Sequence, residues 1–548
     1  MSKRVEHITI VGGGTSGWLT ALSLSAIFPN EPGSKPLRIT LIESPNVPTV
    51  GVGEATVPSM AMLLRQTGVN EREFFRECNA SFKLGVLFKN WNVNPDGSPR
   101  EFINPFGSVG AIGKYNPGYF FNAHGRGSAR APNDFTTAIS TAPDVIQAMR
   151  GPRPLNKQPY EAAARYAYHL DAGLFANYMR TVTIKRGVEH IRDDVVNVEL
   201  DERGFVAALD LKETGRHEVE LVIDCTGFKG LVIQEAMGQK FDPLGDYIMN
   251  DKAVAVQLPH PDPTCLEPCT RSTALSAGWT WKVPLYSRIG TGYVFSSDYL
   301  TDDQAVDEFL ESLGPMGKGA QPRVLSMRVG KIRQAWVKNC IAIGLSSGFI
   351  EPLESTAIYM VEMAVRWLFT YFPDKDFNPA LAKRFNRLTE DLHAEVRDFI
   401  VLHYRLNNRT DSQYWIDARE NRPTPDSLKE NLKLWETVLP NPMDLNSSYL
   451  FDYVNYAITL FGKGFYDDKR LPMADGLPRA QWNEHMKAFG ERKQKLVNSL
   501  PGHYDLLCNI RGEKPAAAPT FTAPISEQPT VAMPGAAMTP KLDDGFML

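Results

Sequence analysis

The stretch that decides the fold is HITIVGGGTSGWLTALSLSAIF, residues 7–28. An apolar run of strand length enters a glycine turn, and an apolar run of helix length leaves it. Gly12, Gly14 and Gly17 fit G-x-G-x-x-G, and Thr15 opens the helix. Glycines at this spacing permit the tight turn, the approach of a pyrophosphate to the backbone, and close packing of helix on strand. The first N–H groups of the helix have no intrahelical partner and face an anion. A second apolar run, LRITLIE (37–43), ends in Glu43, an acid placed to accept from a ribose hydroxyl. Strand, turn, helix, strand and acid together predict a Rossmann-like dinucleotide site in an α/β fold.

Working outward, the 548 residues are 43% hydrophobic and 22% charged, an ordinary globular composition in a chain long enough for two or more cores. A net charge of -4 gives no electrostatic case for nucleic acid or an anionic membrane surface. No apolar run is long enough to span a bilayer, and the N-terminus runs straight into the glycine motif, so no signal peptide is expected. Six cysteines are too few for a disulfide scaffold, and Cys265 and Cys269 lack the further ligands of a zinc site. The expectation is a cytoplasmic protein with free thiols and no metal.

The nucleotide reads as FAD rather than NAD. After Glu43 the chain gives SPNVPTVGVGEATVPS (44–59), a loop rich in Gly, Pro and Val, with Gly51, Gly53, Glu54, Ala55 and Thr56. A plain nicotinamide dehydrogenase would continue alternating strands and helices there. Residues 196–227 alternate like a small β-meander and close on the buried strand ELVIDCTGFKG (220–230). Nucleotide fold, insertion, meander and return strand suit a flavoprotein, with Gly344 after a later strand (CIAIG) as a second contact. No second glycine fingerprint is placed to hold NAD(P)H.

Four motifs then carry a resemblance. GWTWKVPL (278–285) is similar to the G-W-x-W-x-I-P signature of flavin-dependent halogenases of the tryptophan halogenase type. GVGEATVPS resembles their flavin-strap loop, NASFKLGVLFKNW (79–91) the segment with their essential lysine, and IAIGLSSGFIEPLESTAIY (341–359) the segment with their glutamate and halide site. DCTGFKG, YHLDAGLFANYMR and HYRLNNRTDSQYW also look like the family. The resemblance implies an aromatic-hydroxylase-like FAD module, used as FADH2 delivered by a separate NAD(P)H-dependent flavin reductase. It implies Lys83 and Glu354 as catalytic residues, with Lys83 receiving hypohalous acid. Thr356 and Ala357 would bind the halide, chloride or bromide. Trp279 and Trp281 would keep the small aromatic substrate off the flavin. A homodimer stays open, as do two rivals: an FAD-dependent aromatic hydroxylase, and a flavin-binding protein without turnover.

The residues themselves admit plainer readings. A lysine among Phe82, Leu84, Val86 and Leu87 could snorkel to the surface. Buried, it would lose basicity and become a nucleophile or donor. Glu354 before Ser355 and Thr356 could be a helix-start charge. Two tryptophans one residue apart share one face of a strand and could be core.

Three departures from the family pattern bear on specificity. Ala357 replaces a glycine, which would cost energy if the position needs a positive φ. Asn104 stands where many members place a histidine, with Phe106 two residues on. In SSYLFDYVNYAITLFGKGFY (447–466) Tyr453 and Tyr456 could stack on an arene, but no polar grip for an amino acid aligns. The expected substrate is therefore indole or another electron-rich arene, with free L-tryptophan as the alternative.

The expected organisation is an FAD module over 1–360, with substrate-side insertions near 100–160 and 245–285. A mainly helical, substrate-covering module follows over 361–513, with Leu381, Phe385, Leu388, Leu392 and Val396 as one apolar stripe. A flexible Pro/Ala-rich tail over 514–548 ends the chain.

Overall fold

The computed structural model describes residues 4–28, 37–47, 53–125 and 134–515. The opening motif folds as read. His7–Val11 is a fully buried strand, Thr15–Ile27 the helix, and Arg38–Glu43 the next strand, parallel to the first with Val11 opposite Ile42. The six-stranded sheet runs Trp336–Val337, Cys340–Ala342, Leu221–Asp224, His7–Val11, Arg38–Glu43, Glu189–Arg192. All its pairings are parallel except that of the outermost Trp336–Val337. Such strands are buried on both faces, which is why they read as unbroken apolar runs.

The expected meander is an antiparallel three-stranded sheet, Val195–Leu200, Val206–Leu211 and Gly215–Glu218. Leu221–Asp224 then returns the chain to a place beside the first strand. Asp224 is fully buried and accepts from the N–H groups of Thr226, Val232 and Ile233 at 2.9, 2.9 and 2.8 Å, fixing the turn that follows.

Of the stretches read as insertions, 245–285 supplies three strands of a second, seven-stranded sheet, whereas 100–160 supplies only its edge strand Pro99–Pro105 and then turns to short helices such as Asp134–Ile139 and Ala142–Gln147. The order of that sheet is Arg323–Ser326, Lys252–Leu258, Ile289–Phe295, Gly278–Pro284, Thr270–Ala274, Gly85–Val93, Pro99–Pro105. The double-tryptophan strand is central, between Thr270–Ala274 and Ile289–Phe295. A small sheet of Gly53–Ala55, Ala167–Asp171 and Ser81–Lys83 ties the strap to the lysine strand.

Beyond Phe349 the described elements are helices, chief among them Ala357–Thr370, Pro379–Arg405, Tyr453–Gly462 and Arg479–Ser499. Pro379–Arg405 starts as its sequence predicts: Asn378 caps Ala380 N–H at 3.0 Å and proline takes the first helical position. Leu388, Leu392 and Val396 are buried with Phe385, while Leu381 is only partly so. One buried apolar cluster runs through both sheets and these helices, so the helical part packs directly on the tryptophan sheet. No helix among the described residues is long and apolar enough to cross a membrane. The tail residues 516–548, and Gly51 in the strap, lie outside the described residues.

Candidate active site

The glycine turn divides by steric need. A Cβ on Gly12 would lie 2.2 Å from Cys225 O, and one on Gly17 would lie 1.9 Å from Gly12 O. Gly12 also has φ +115°, a region that favours glycine. Gly14 differs: a Cβ there would meet nothing within 4 Å. It is the cap residue of Thr15–Ile27, with no side chain bonded to the helix start. An open backbone face at a helix N-terminus is what a pyrophosphate needs. Glu43 lies against Gly13, held by His190 Nε2 at 2.9 Å. Gly344, at φ +81°, packs on the same turn, where a Cβ would collide with Ser16 Oγ at 2.1 Å. The residues present fit an FAD.

The strap comes next. Gly53 lies backbone to backbone on Gly290, and Ala55 packs with Trp281, Val283 and Leu285. Glu54 takes the other face of this strand, where desolvation pushes its carboxyl up to about 7. Thr56 N–H donates to Tyr168 O at 2.9 Å, and Tyr168 N–H donates back to Thr56 Oγ1 at 3.0 Å. That exchange leaves the Thr56 carbonyl free to turn inward.

It turns to Lys83. The lysine is fully buried, so the surface reading fails: Nζ donates to Thr56 O at 3.1 Å and to Ser355 Oγ at 2.9 Å. It also lies 5.1 Å from the centre of the Phe106 ring. Burial lowers its ammonium from the usual 10.5 to about 7, while the charge of nearby Glu354 opposes the fall. His169 and His503 support the strand from behind. Their imidazoles, held neutral by burial, bond Thr270 Oγ1 at 2.9 Å and Leu266 O at 2.8 Å.

Glu354 sits at the end of the loop before helix Ala357–Thr370. It is buried, at φ 64° and ψ 5°, and Ser355 follows at φ 62°. Two consecutive non-glycine residues in the left-handed region carry strain of about 1–3 kcal/mol each. The strain aims Glu354 inward, where Oε1 accepts from Asn104 Nδ2 at 2.8 Å and lies 3.4 Å from His403 Nε2. His403 stacks on Phe88 at 4.5 Å, and burial holds its imidazole down at about 4. Thr356 and Ala357 open the helix, whose first N–H groups are unspent. The positive φ feared at Ala357 falls instead on Glu354 and Ser355, so alanine is unstrained there.

Trp279 and Trp281 face one side of their strand, ring centres 6.5 Å apart. Trp281 lies over Gly292, where a Cβ would meet the indole at 2.1 Å. Trp279 is buried and donates through Nε1 to Tyr404 Oη at 3.1 Å.

The structure thus gathers Lys83, Glu354, Asn104, Phe106, Thr356 and Ala357, with the strap and the tryptophans alongside. It does not gather the two tyrosines with them. Tyr456 packs in the helical core against Phe399 and Trp435, with ring centres at 5.0 and 5.1 Å. Tyr453 lines a narrow cleft of about 10 Å³ with Val109, Gly110 and Phe135. Asn455, between them, is the residue that reaches the site, donating to Asn104 Oδ1 at 3.3 Å. His403 and Asn455 were not singled out from sequence, although HYRLNNRTDSQYW pointed to the right helix end.

A cavity of about 370 Å³ opens at the ends of Pro379–Arg405 and Tyr453–Gly462, lined in part by Arg100, Arg405 and Lys463. Two helix C-termini converge there. Arg100 Nε donates to Gly462 O at 2.7 Å and its Nη1 pairs with Asp467 Oδ2 at 2.6 Å, while Lys463 Nζ donates to Asn92 Oδ1 at 3.1 Å.

A dinucleotide turn, the strap and a buried lysine beside a strained glutamate are the parts that the resemblance to flavin-dependent halogenases leads one to expect. Comparison with known proteins agrees. Residues 7–479 match the family profile described as tryptophan halogenase. Tryptophan 7-halogenase RebH of Lentzea aerocolonigenes is 37% identical over 93% of this chain and 100% of its own length. The 7-chloro-L-tryptophan 6-halogenase KtzR of Kutzneria sp. (strain 744) is 36% identical over 92% of this chain and 99% of its own. Among solved structures, BrvH, a flavin-dependent halogenase from Brevundimonas sp. BAL3, superposes with a TM-score of 0.81 at 36% identity, covering 92% of this chain and 99% of that one. The chain belongs to the tryptophan halogenase family, and its cofactor class is flavin.

Proposed function

We propose that this chain halogenates an indole-type ring using reduced FAD, dioxygen and chloride or bromide, with Lys83 and Glu354 as its catalytic pair. The observation that carries the reading is Lys83 Nζ, buried between Thr56 O and Ser355 Oγ, the residue next to Glu354. When bound, reduced flavin with dioxygen supplies the oxidising equivalents that turn halide into hypohalous acid. Gly12, Gly14, Gly17 and Glu43 would hold the nucleotide end, and Gly53, Glu54, Ala55 and Gly344 the flavin end. The helix start at Thr356 and Ala357 offers N–H groups to the halide.

With its ammonium near 7, Lys83 is about half neutral at neutral pH. As an amine it takes the halogen from hypohalous acid, forming N–X and releasing water; as an ammonium it donates a hydrogen bond to the acid's oxygen. Either form presents the halogen to the ring. As the carbon–halogen bond forms, the N–X or O–X bond breaks: the Lys83 nitrogen takes up a proton from solvent to return as amine, or the departing hydroxide takes the Lys83 ammonium proton and leaves as water. The ring proton then passes to the Glu354 carboxylate, which Asn104 steadies through Oε1. Trp281 packs on the strap, and Trp279 reaches the helix that bears His403. That placement favours a wall holding the arene away from the flavin.

RebH and KtzR are named for tryptophan and a chlorotryptophan, which share an indole. Here Asn104 and Asn455, the amides beside Glu354, are uncharged, which favours indole or a neutral derivative over the zwitterion of free L-tryptophan. A separate NAD(P)H-dependent flavin reductase, in a reducing cytoplasm, completes the reading.

The test combines the protein with FAD, NADH, an unrelated flavin reductase, chloride or bromide, and a panel including indole and L-tryptophan, read by mass spectrometry. A halogen isotope pattern on indole, lost in Lys83→Ala with flavin binding intact, is expected. A pattern on tryptophan but not indole would overturn the substrate assignment. Hydroxylated product in halide-free reactions would overturn the class of reaction.

A further inference from the structure

A second buried carboxylate lies three residues before Glu354. Glu351 is 1% exposed and has hydrogen bonds but no cation around it among the described residues. Its two oxygens accept from Tyr404 Oη at 2.8 and 3.0 Å, and Oε2 accepts from Asn250 Nδ2 at 3.1 Å. Tyr404 Oη also accepts from Asn250 Nδ2 at 2.8 Å and from Trp279 Nε1 at 3.1 Å. Asn250 Oδ1 accepts from Tyr414 Oη at 2.9 Å. The accounting closes with Glu351 ionised: each donor of this cluster has an acceptor, and each oxygen of Glu351, Tyr404 and Asn250 has a donor.

Such a cluster is a costly way to fill a core. A carboxylate without a counter-charge gains less than it loses on leaving water, and burial pushes Glu351 up to about 7. An apolar residue of similar volume would be cheaper there. What the cluster does instead is join two parts of the site. One end is the indole N–H of Trp279; the other is the loop whose next residues turn left-handed to present Glu354. The joint is made by consecutive residues of one helix, His403 against Glu354 and Tyr404 against Glu351.

We infer that Tyr404 and Glu351 are positioning residues that hold the Trp279 wall in register with the Glu354 loop, so that partition and carboxylate move as one body. The inference rests on the proposed role of Trp279 as a wall. Loosening the joint leaves flavin binding and flavin oxidation in place but releases oxidant without delivering it to the ring.

The test uses full-length Tyr404→Phe, Trp279→Phe and the double variant, with reductase-supplied FADH2, bromide and indole. The readouts are product formed per flavin oxidised, the arene KM and kcat separately, and flavin affinity. Each single variant should lose about ten-fold in product per flavin oxidised, the effect of one lost buried hydrogen bond. Flavin affinity should stay within about two-fold, and the double should fall no further than the worse single, as coupled positions do. Multiplying effects in the double overturn the inference. Unchanged coupling in Tyr404→Phe, with loss in Trp279→Phe, overturns it while sparing the wall; no loss in Trp279→Phe overturns the wall and the inference together. If Tyr404→Phe does not fold, Glu351→Gln and Glu351→Met replace it. Glutamine, which still accepts from Tyr404, should keep most of the coupling that methionine loses, and equal coupling in the two overturns the inference.

Discussion

Replacing Lys83 by methionine should change how stability depends on pH, and not merely its level. Lys83 is fully buried, and burial lowers its ammonium from 10.5 to about 7. Below pH 7 both folded and unfolded chains hold the proton, and the folded state carries the full cost of a desolvated charge. Between about pH 7 and 10.5 the unfolded chain keeps a proton that the folded one has released, so parent stability rises through this window. Above it neither is charged and the cost is gone. At about 1.36 kcal/mol per pH unit, the whole cost is about 5 kcal/mol. Methionine does not titrate, but it leaves Thr56 O and Ser355 Oγ without their donor, a loss of about 1–3 kcal/mol at any pH. The stability advantage of Lys83→Met over the parent should therefore shrink by about 1.4 kcal/mol for each pH unit from 7 to 10. Urea unfolding of both flavin-free proteins, followed by tryptophan fluorescence from pH 6 to 10, measures it. A difference that stays flat with pH would refute the reasoning, because the lysine would then be charged in the folded state throughout.

Gly14→Ala should fold and keep its unfolding midpoint while flavin affinity falls, whereas Gly17→Ala should unfold early, its Cβ being 1.9 Å from Gly12 O; flavin titration and thermal melts separate the two. Asn104→Leu should cut halogenated product by about ten- to a hundred-fold by removing a donor from Glu354, with flavin oxidation continuing, as read by product and peroxide assays. Ala357→Gly should cost about 0.5–1 kcal/mol of stability and relieve nothing, since the position is already helical; calorimetry checks it. Ser355→Ala should leave flavin binding unchanged but lower product yield by about ten-fold, as one contact of Lys83 is lost.

What sequence could reveal here depended on distance along the chain. Strand, glycine turn, helix and strand lie within residues 7–43, and each step has a local steric cause, so that unit was readable. The seven-stranded sheet was not, because its order places 85–93 beside 270–274, and no local pattern records a pairing of that span. The same holds for the site. Asn104 meets Glu354 across 250 positions, and Trp279 meets Tyr404 across 125. Lys83, Glu354, Asn104 and Phe106 were found through family motifs, whereas His403 and Asn455 could be placed only by the fold. Tyr456 misled for another reason: from Tyr456 to Gly462 every residue is buried, so the helix shows no apolar stripe to say which side faces a ligand.

The left-handed pair at Glu354 and Ser355 bears on how this enzyme would respond to engineering. Glycine or asparagine suits such a backbone better than serine, so a library at position 355 screened for heat resistance should return those residues. Screened for halogenated product, the same library should return serine, because only its hydroxyl stands opposite the Lys83 amine. A consensus drawn from stable variants would then select against activity at this one position, and a thermostabilising campaign does best to leave it fixed.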